Sequence, residues 1–170
     1  MPHKKPIASE TDDRKMQSFA RLGGLKETPA SIGGEYFTRQ TLNSDLKRHP
    51  KYITGIISID MNDLKWLNDN HGHKAGYEAL KTITDCFCAF ETKKECVYRI
   101  GGDEFVIVCK DHKEEDIKSL VEKIRAAVTE TGYSCAFGYS FGKSIDEMMQ
   151  EADKLMYQDK RRIKEELKAK

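Results

Sequence analysis

Apolar positions along this chain fall into short β-branched runs and into longer stripes at helical spacing. Between Tyr52 and Ile59, recurring isoleucines favour a short buried strand over a helix, and the run stops at Asp60. Three further strands are predicted at 96–100, 105–109 and 133–141, and helices are predicted at 35–47, 62–70, 79–90, 117–128 and 145–156.

The order of these elements predicts a single α+β domain. From residue 52 it runs strand, helix, helix, strand, strand, helix, strand, helix, which is typical of a mainly antiparallel central sheet flanked by helices. We expect the helices to lie over one face of that sheet. Residues 1–26 are predicted to be an N-terminal extension or linker helix, and residues 27–170 the domain itself. The first strand and the central hairpin are expected to be neighbours, so that Asp60 and Asp103 approach each other.

The balance of charges narrows the classes of protein that fit this chain. Of its 170 residues, 38% are hydrophobic and 34% are charged, and the formal net charge is +1. A disordered chain would have fewer apolar residues and a larger net charge, and broad binding to a nucleic-acid backbone needs a basic surface. The two ends are net basic and residues 27–151 are net acidic. This acidic middle suits a bound cation, or else it is an ordinary solvated surface.

Three features predict a cytoplasmic protein that does not enter a membrane. No apolar run approaches the roughly 20 residues that span a bilayer, and the N-terminus lacks the apolar stretch of a signal peptide. The five cysteines are an odd number, which favours reduced thiols over a disulfide framework.

The segment Arg99–Phe105 combines two glycines with two carboxylates at the tip of the predicted hairpin. Gly101 and Gly102 let the backbone turn tightly and approach a ligand closely. Asp103 and Glu104 then place like charges side by side, and a divalent cation such as magnesium or manganese would relieve their repulsion. From the hairpin alone, an ordinary exposed turn is an equal alternative.

A second segment, Asp60–Tyr77, adds groups that suit a nucleotide. Asp60 supplies a third carboxylate, and the first amides of the following helix would favour a phosphate. Lys65 offers a positive charge, and the side-chain amide of Asn68 can both donate to and accept from the edge of a base. Together with the hairpin, these groups predict a site for a metal and a nucleotide.

In their order and spacing, these two segments resemble the GGDEF domain of diguanylate cyclases, and the stretch Ala152–Lys160 is similar to the family's C-terminal helix motif. The resemblance covers most of residues 27–170. It implies a fold like the palm of nucleotidyl cyclases and polymerases, with a ferredoxin-like core. It also implies the condensation of two GTP molecules into cyclic di-GMP for signal transduction. The family uses Mg²⁺ or Mn²⁺, and its active site forms between the two halves of a homodimer.

The resemblance further implies a role for each matching residue. The implied metal ligands are Asp60, the Met61 carbonyl, Asp103 and Glu104, and either Asp103 or Glu104 is the catalytic base. His73 is expected to order the turn rather than to perform chemistry. The implied substrate-binding residues are Asp63 and Leu64 through their amides, Lys65 and Lys160 at the phosphates, and Asn68 and position 77 at the base.

Three parts of the sequence depart from the family's pattern. Tyr77 stands where the family has an aspartate that reads guanine, and a phenol cannot accept both donors on the Watson–Crick edge of guanine. Its hydroxyl could instead donate to N1 of adenine, or the ring could stack on the base or occlude its pocket. Residues 27–35 are only faintly like the family's upstream motif. At residues 92–95 the arginine of the family's product-inhibition motif is absent, so feedback by that route is not expected.

Two functions therefore stay open. The first is an active cyclase that takes GTP, the favoured substrate, or another purine NTP. The second is a catalytically inactive, degenerate domain that acts as a nucleotide-binding signalling module. In either case an upstream sensor domain is a candidate partner, and neither nucleic acid nor a membrane is expected as one.

Overall fold

The computed structural model describes residues 32–170, with side chains from Arg39 onward. The predicted linker helix at 1–26 lies outside the described residues, as does most of the divergent stretch at 27–35. The helices are α1 (Ile32–Arg48), α2 (Leu64–His71), α3 (His73–Cys88), α4 (Glu114–Glu130) and α5 (Ile145–Lys168), with a short 3₁₀ turn at Pro50–Tyr52. The strands are β1 (Ile53–Met61), β2 (Glu95–Arg99), β3 (Glu104–Lys110) and β4 (Cys135–Phe141).

The four strands form one sheet in the order β2-β3-β1-β4, and every neighbouring pair is antiparallel. The predicted pairing of the first strand with the central hairpin is confirmed, because β1 lies directly beside β3. In this register Asp60 sits opposite Glu104 on one side and opposite Ala136 on the other. β1 extends one residue beyond Asp60, so Asp60 belongs to the strand and does not follow it.

Helices cover both faces of the sheet, so the expectation that they lie over one face is wrong. Ile57 and Ile59 belong to a core cluster that includes residues of α3 and α4. Ile56 belongs to a second cluster that includes Leu42 of α1 and Met148 of α5. Successive residues of a strand point to opposite faces, so a strand buried on both sides needs an apolar layer on each. The side chain of Asp60 shares the face of Ile56, which is the face that α5 covers.

A glycine lets α5 rest directly on β4. A Cβ atom added at Gly138 would lie 2.2 Å from both the Ala152 carbonyl oxygen and the Met156 amide nitrogen. These are backbone atoms that cannot swing aside, so only glycine allows this close approach. The first half of α5 is thereby held at a fixed height over the sheet.

Two polar contacts fix α1 beside the hairpin. The hydroxyl of the buried Tyr98 donates to an Asp45 carboxylate oxygen at 2.6 Å. Earlier in α1, the Arg39 guanidinium donates to the Ile100 carbonyl at 3.1 Å. The helix therefore reaches the strand end that leads into the glycine turn.

Each edge strand has a backbone amide that donates to a carboxylate. In β2, the Val97 amide donates to Oε1 of Glu91 at 3.3 Å. In β4, the Phe137 amide donates to Oδ2 of Asp159 at 2.9 Å. Both contacts satisfy a donor that no neighbouring strand can reach.

None of the helices within residues 32–170 combines the length and the apolar character needed to cross a bilayer. No disulfide joins the five cysteines, all of which fall in the described part of the chain. Cys109 and Cys135 lie in the core, where burial raises the pKa of the Cys135 thiol to about 12.

Candidate active site

Asp60 is a buried carboxylate whose two oxygens have different surroundings. Its side chain is 10% exposed, and Oδ2 accepts a hydrogen bond from the Lys160 ammonium at 3.0 Å. Oδ1 is buried and has no hydrogen-bond partner among the residues that the structure describes. Burial raises the pKa of Asp60, and the negative charge of Asp103 raises it further, whereas Lys160 works in the opposite direction.

The hairpin tip brings two more carboxylates to Asp60. One ligand oxygen from each of Asp60, Asp103 and Glu104 can be chosen so that all three lie within 4.8 Å of one another. The Met61 amide donates to the Asp103 carbonyl at 2.8 Å and so ties the end of β1 to the turn. Because the N–H and C=O of a strand residue point to the same side, the Met61 carbonyl also faces the hairpin. The expected approach of Asp60 and Asp103 is therefore observed, and Glu104 lies beside them.

The pKa of Glu104 is raised, first by burial and then by the carboxylates of Asp60, Asp103 and Asp153. Arg39 on α1 partly opposes this effect. Asp153 is a fourth acidic residue near the cluster and was not among the predicted site residues. The site therefore concentrates negative charge where burial already disfavours it.

This arrangement fits a divalent metal ion. Three carboxylates meet at one point, and a buried oxygen of Asp60 is left without a hydrogen-bond donor among the described residues. Hard oxygen ligands with a surplus of negative charge suit magnesium or manganese.

Arg99 holds the glycine turn in place, a role that the sequence did not reveal. Its guanidinium is buried and donates to the carbonyls of Gly101 and Gly102, each at 3.1 Å. The amides of Ile100 and Gly101 close the turn by donating to the Glu104 carbonyl. The two carboxylates at the tip are thus presented by a braced loop rather than a loose one.

The start of α2 leaves backbone amides available close to the end of β1. Asp63 has a left-handed backbone with φ of 61°, and the first helical hydrogen bond runs from the Leu67 amide to the Asp63 carbonyl. The amides before Leu67 therefore have no acceptor within the helix. Asn62 anchors this turn, because its side chain donates to the Ser134 hydroxyl at 2.8 Å. Lys65 is exposed on the first turn of the helix.

The predicted base-reading residues belong to the two helices that meet here, Asn68 to α2 and Tyr77 to α3. A Cβ atom added at Gly76 would fall 1.7 Å from Oδ1 of Asn68, so the Asn68 amide packs against the Gly76 backbone. Tyr77 is the next residue, and its half-buried ring packs against the core on the α3 side of the sheet. His73 is exposed and is the first residue of α3, directly after Gly72 with its positive φ of 88°.

Lys164 is a further residue that sequence reasoning missed. It lies one helical turn beyond Lys160 on the same side of α5, and its charge helps to lower the pKa of Asp60. The signal in the sequence was the spacing of four residues between the two lysines, which places both side chains on the same face of a helix.

The stretch at 92–95 is engaged in contacts within the chain. The Glu95 carboxylate meets Nε2 of His112 at 2.5 Å, and its other oxygen accepts from the Thr92 hydroxyl. The His112 amide in turn donates to the Thr54 hydroxyl at 2.9 Å. These polar groups therefore tie β2 to the loop after β3.

The family model for the GGDEF domain of diguanylate cyclases matches residues 34–166. The match covers most of the chain, so this protein belongs to the GGDEF family. The sequence prediction of the family is thereby confirmed.

Similar proteins are named as diguanylate cyclases. The chain is 31% identical to DosC of Escherichia coli over 120 residues, which cover 63% of this chain and 26% of DosC. It is 28% identical to DgcS of Shewanella oneidensis over 167 residues, covering 92% of this chain and 55% of DgcS. The chain thus spans about a quarter of the one relative and about half of the other.

Solved structures confirm the predicted α+β, palm-like fold. The coiled coil and GGDEF domain of DgcB from Caulobacter crescentus, in complex with c-di-GMP, matches with a TM-score of 0.68 at 18% identity, covering 88% of this chain and 85% of that one. The active GGEEF domain of a diguanylate cyclase from Vibrio cholerae matches with a TM-score of 0.60 at 26% identity, covering 72% and 85%.

Replacing Glu104 by glutamine should stabilise the metal-free protein at neutral pH. A carboxyl whose pKa is raised by folding stabilises the fold below its unfolded pKa, and this contribution is lost as the pH rises through the folded pKa. In the presence of a chelator, Glu104→Gln should unfold at higher denaturant than the wild type at pH 7. The difference should vanish below about pH 4, where both forms are neutral.

The matched control for this prediction is Glu122→Gln, which neutralises an exposed glutamate on α4. It should leave the dependence of the unfolding free energy on pH unchanged. If Glu104→Gln and Glu122→Gln gave the same pH profile, the charge crowding at the hairpin would be refuted.

Replacing Gly76 by alanine should reveal the contact with Asn68. Alanine in a helix interior is favoured over glycine by about 1 kcal/mol, but here its methyl group must push the Asn68 amide aside. In an Asn68→Ala background the substitution should give its full gain in unfolding free energy. With Asn68 present the gain should be smaller, and the side-chain amide resonance of Asn68 should move in NMR spectra. Equal gains in both backgrounds would contradict the contact.

Proposed function

We propose that this chain is an active, metal-dependent nucleotidyl transferase that condenses two nucleoside triphosphates into a cyclic dinucleotide, with GTP as the favoured substrate. The observation that carries this proposal is the convergence of Asp60, Asp103 and Glu104 around a buried oxygen without a donor among the described residues. Such crowding destabilises the fold unless a cation is bound, which is the pattern expected of a site kept for chemistry. Membership of a family of diguanylate cyclases supports the same reaction.

The metal ligands that we propose are Asp60, Asp103, Glu104 and the Met61 carbonyl, and the cofactor is Mg²⁺ or Mn²⁺. When bound, such an ion would stabilise the charge that develops on the transferring phosphoryl group and would lower the pKa of the attacking hydroxyl. The brace from Arg99 to the glycine turn keeps the two hairpin carboxylates in position for this role.

In each half-reaction the 3′-hydroxyl of one nucleotide attacks the α-phosphorus of the other. A bond forms between that oxygen and phosphorus, the bond to the β,γ-diphosphate breaks, and pyrophosphate leaves. Asp103 or Glu104 takes the proton of the hydroxyl. The raised pKa of Glu104 makes it a stronger base than an ordinary glutamate.

The phosphates are held by groups from two separate parts of the chain. The amides of Asp63 and Leu64 lie at the start of α2, where the left-handed turn exposes them, and Lys65 follows on the same turn. Lys160 and Lys164 come from α5, where Lys160 donates to Asp60 and the charge of Lys164 also acts on it. Backbone amides and lysines together suit a triphosphate with its charge of about −4 at neutral pH.

Asn68 and Tyr77 form the base pocket, and His73 orders the turn that leads into it. Tyr77 packs partly into the core, so its ring is a fixed wall with one hydroxyl rather than a mobile acceptor. Guanine is therefore read chiefly by Asn68, and discrimination against adenine is weaker than a carboxylate at this position would provide.

Catalysis by this mechanism requires two domains that face each other, each with one nucleotide. We therefore propose a homodimer as the active form, a cytoplasmic site of action, and an upstream sensor domain that controls the pairing. The engagement of Glu95 with His112 and Thr92 supports the expectation that product feedback through residues 92–95 does not operate.

A catalytically inactive nucleotide-binding module is the second candidate, and Tyr77 is the observation that favours it. If the ring occludes the pocket, the domain would bind a nucleotide or a partner and pass on that state without turnover. The two candidates differ in whether pyrophosphate is ever released.

The deciding experiment incubates the protein with Mg²⁺ or Mn²⁺ and each NTP in turn, and measures pyrophosphate and cyclic dinucleotides. We expect product from GTP, and none after Asp60→Asn, which removes a metal ligand. Asp85→Asn, at an exposed position on α3, should keep wild-type turnover. Nucleotide binding without product from any NTP would reject the active enzyme in favour of the binding module.

Replacing Tyr77 by aspartate should raise the preference for GTP over ATP by roughly ten- to a hundredfold, since a carboxylate accepts both donors of the guanine edge. The preference is measured as the ratio of kcat/KM for the two nucleotides. Tyr77→Phe is the matched control, because it keeps the packed ring and removes only the hydroxyl. An unchanged ratio in Tyr77→Asp would show that this position does not read the base.

A further inference from the structure

The apolar anchoring of α5 ends well before the helix does. The last fully buried residue of this helix is Met156, although the helix continues to Lys168. The proposed phosphate contacts, Lys160 and Lys164, both lie beyond that point. Beyond Met156, Ile163 is half-buried and Leu167 is exposed, so polar contacts contribute to fixing the part of the helix that carries the two lysines.

Asp159 makes such contacts from the residue directly before Lys160. Its Oδ2 accepts from the Phe137 amide of β4 and from the Arg125 guanidinium of α4, each at 2.9 Å. Its Oδ1 accepts from Arg162 on the next turn of α5 at 2.7 Å. The carboxylate is 11% exposed, and the Arg125 guanidinium also lies over the Phe137 ring at 4.8 Å from its centroid. One carboxylate thus joins the helix to a strand and to a second helix.

We call Asp159 and its partners Phe137, Arg125 and Arg162 the clamp. Its position in the sheet relates it to the active site. Phe137 is the register partner of Ile59, the residue next to Asp60. The clamp therefore lies next to the pair formed by Lys160 and Asp60. On α5 it is one residue before Lys160, and on the sheet its strand residue is opposite the residue before Asp60.

The carboxylate is well suited to act as a permanent anchor. Burial raises the pKa of Asp159, but the hydrogen bonds from Phe137, Arg162 and Arg125 outweigh burial and leave the pKa below its ordinary value. The group is therefore ionised at neutral pH and keeps its charge-assisted bonds.

We propose that Asp159 is a positioning residue for Lys160: by joining α5 to the Phe137 amide and to Arg125, it holds the Lys160 ammonium at Asp60 and toward the bound phosphates. The phosphate part of this inference rests on the proposed function. The first half of α5 keeps its own anchor, where Gly138 meets the helix backbone, so loss of the clamp frees the second half without unseating the first.

The test is a double-mutant cycle between positions 159 and 160, read by the affinity of the protein for Mg²⁺ and a non-hydrolysable GTP analogue. Asp159→Ala should weaken this affinity about tenfold, as expected for the loss of a charge-assisted contact, and Asp159→Asn should fall in between because it still accepts from the Phe137 amide. In a Lys160→Met background Asp159→Ala should have no further effect. Independent, multiplying losses would overturn the proposal.

A second readout does not depend on nucleotide chemistry. In protein labelled with ¹⁵N-lysine, the ammonium resonance of Lys160, assigned by its disappearance in Lys160→Met, should shift and exchange faster with water in Asp159→Ala. Glu166→Gln is the control, because it removes the negative charge of the other partner of Arg162 and leaves the clamp in place. An unchanged Lys160 resonance in folded Asp159→Ala would refute the positioning role even if the wild type bound no triphosphate. Failure of the wild type to bind would count against the proposed function alone.

Discussion

The antiparallel register between β1 and β3 is the constraint on which the site depends. It sets Asp60 opposite Glu104, with both side chains on the face that α5 covers. A slip of one residue would turn Asp60 toward the core on the other face and would break up the cluster of carboxylates. That slip is prevented because it would also exchange the two sets of isoleucines between two different apolar layers. The packing of the core thus specifies the geometry of the polar site.

The fold tolerates this cluster of carboxylates because lysines on α5 oppose its negative charge. Burial and mutual repulsion raise the pKa of both Asp60 and Glu104, and Lys160 is the cation that opposes them most directly at Asp60. Lys160 can do so only if α5 follows the sheet past its last buried residue. The hairpin supplies the charge and its rigid turn, while a helix a hundred residues along the chain from β1 supplies the counter-charge.

The sequence predicted those parts of the site whose signals are local. Asp60 follows a β-branched run and Asp103 and Glu104 follow two glycines, so each could be placed on its element without knowing the others. Arg99 and Asp159 could not be assigned in this way, because their partners are backbone groups whose position only the folded chain determines. The helices were wrongly predicted to lie over one face of the sheet, although the sequence held a signal that they cover both. Consecutive apolar residues at Ile56 and Ile57 indicate a strand buried on both sides.

The two edge strands have a consequence for how the protein can associate. An edge strand with free amides is a template onto which another chain can add a strand. Here the Val97 amide of β2 is taken by Glu91 and the Phe137 amide of β4 by Asp159. Extension of the sheet by a second copy would have to break these bonds. Association is thereby directed to the helices and loops, and the sheet is guarded against growing into an aggregate.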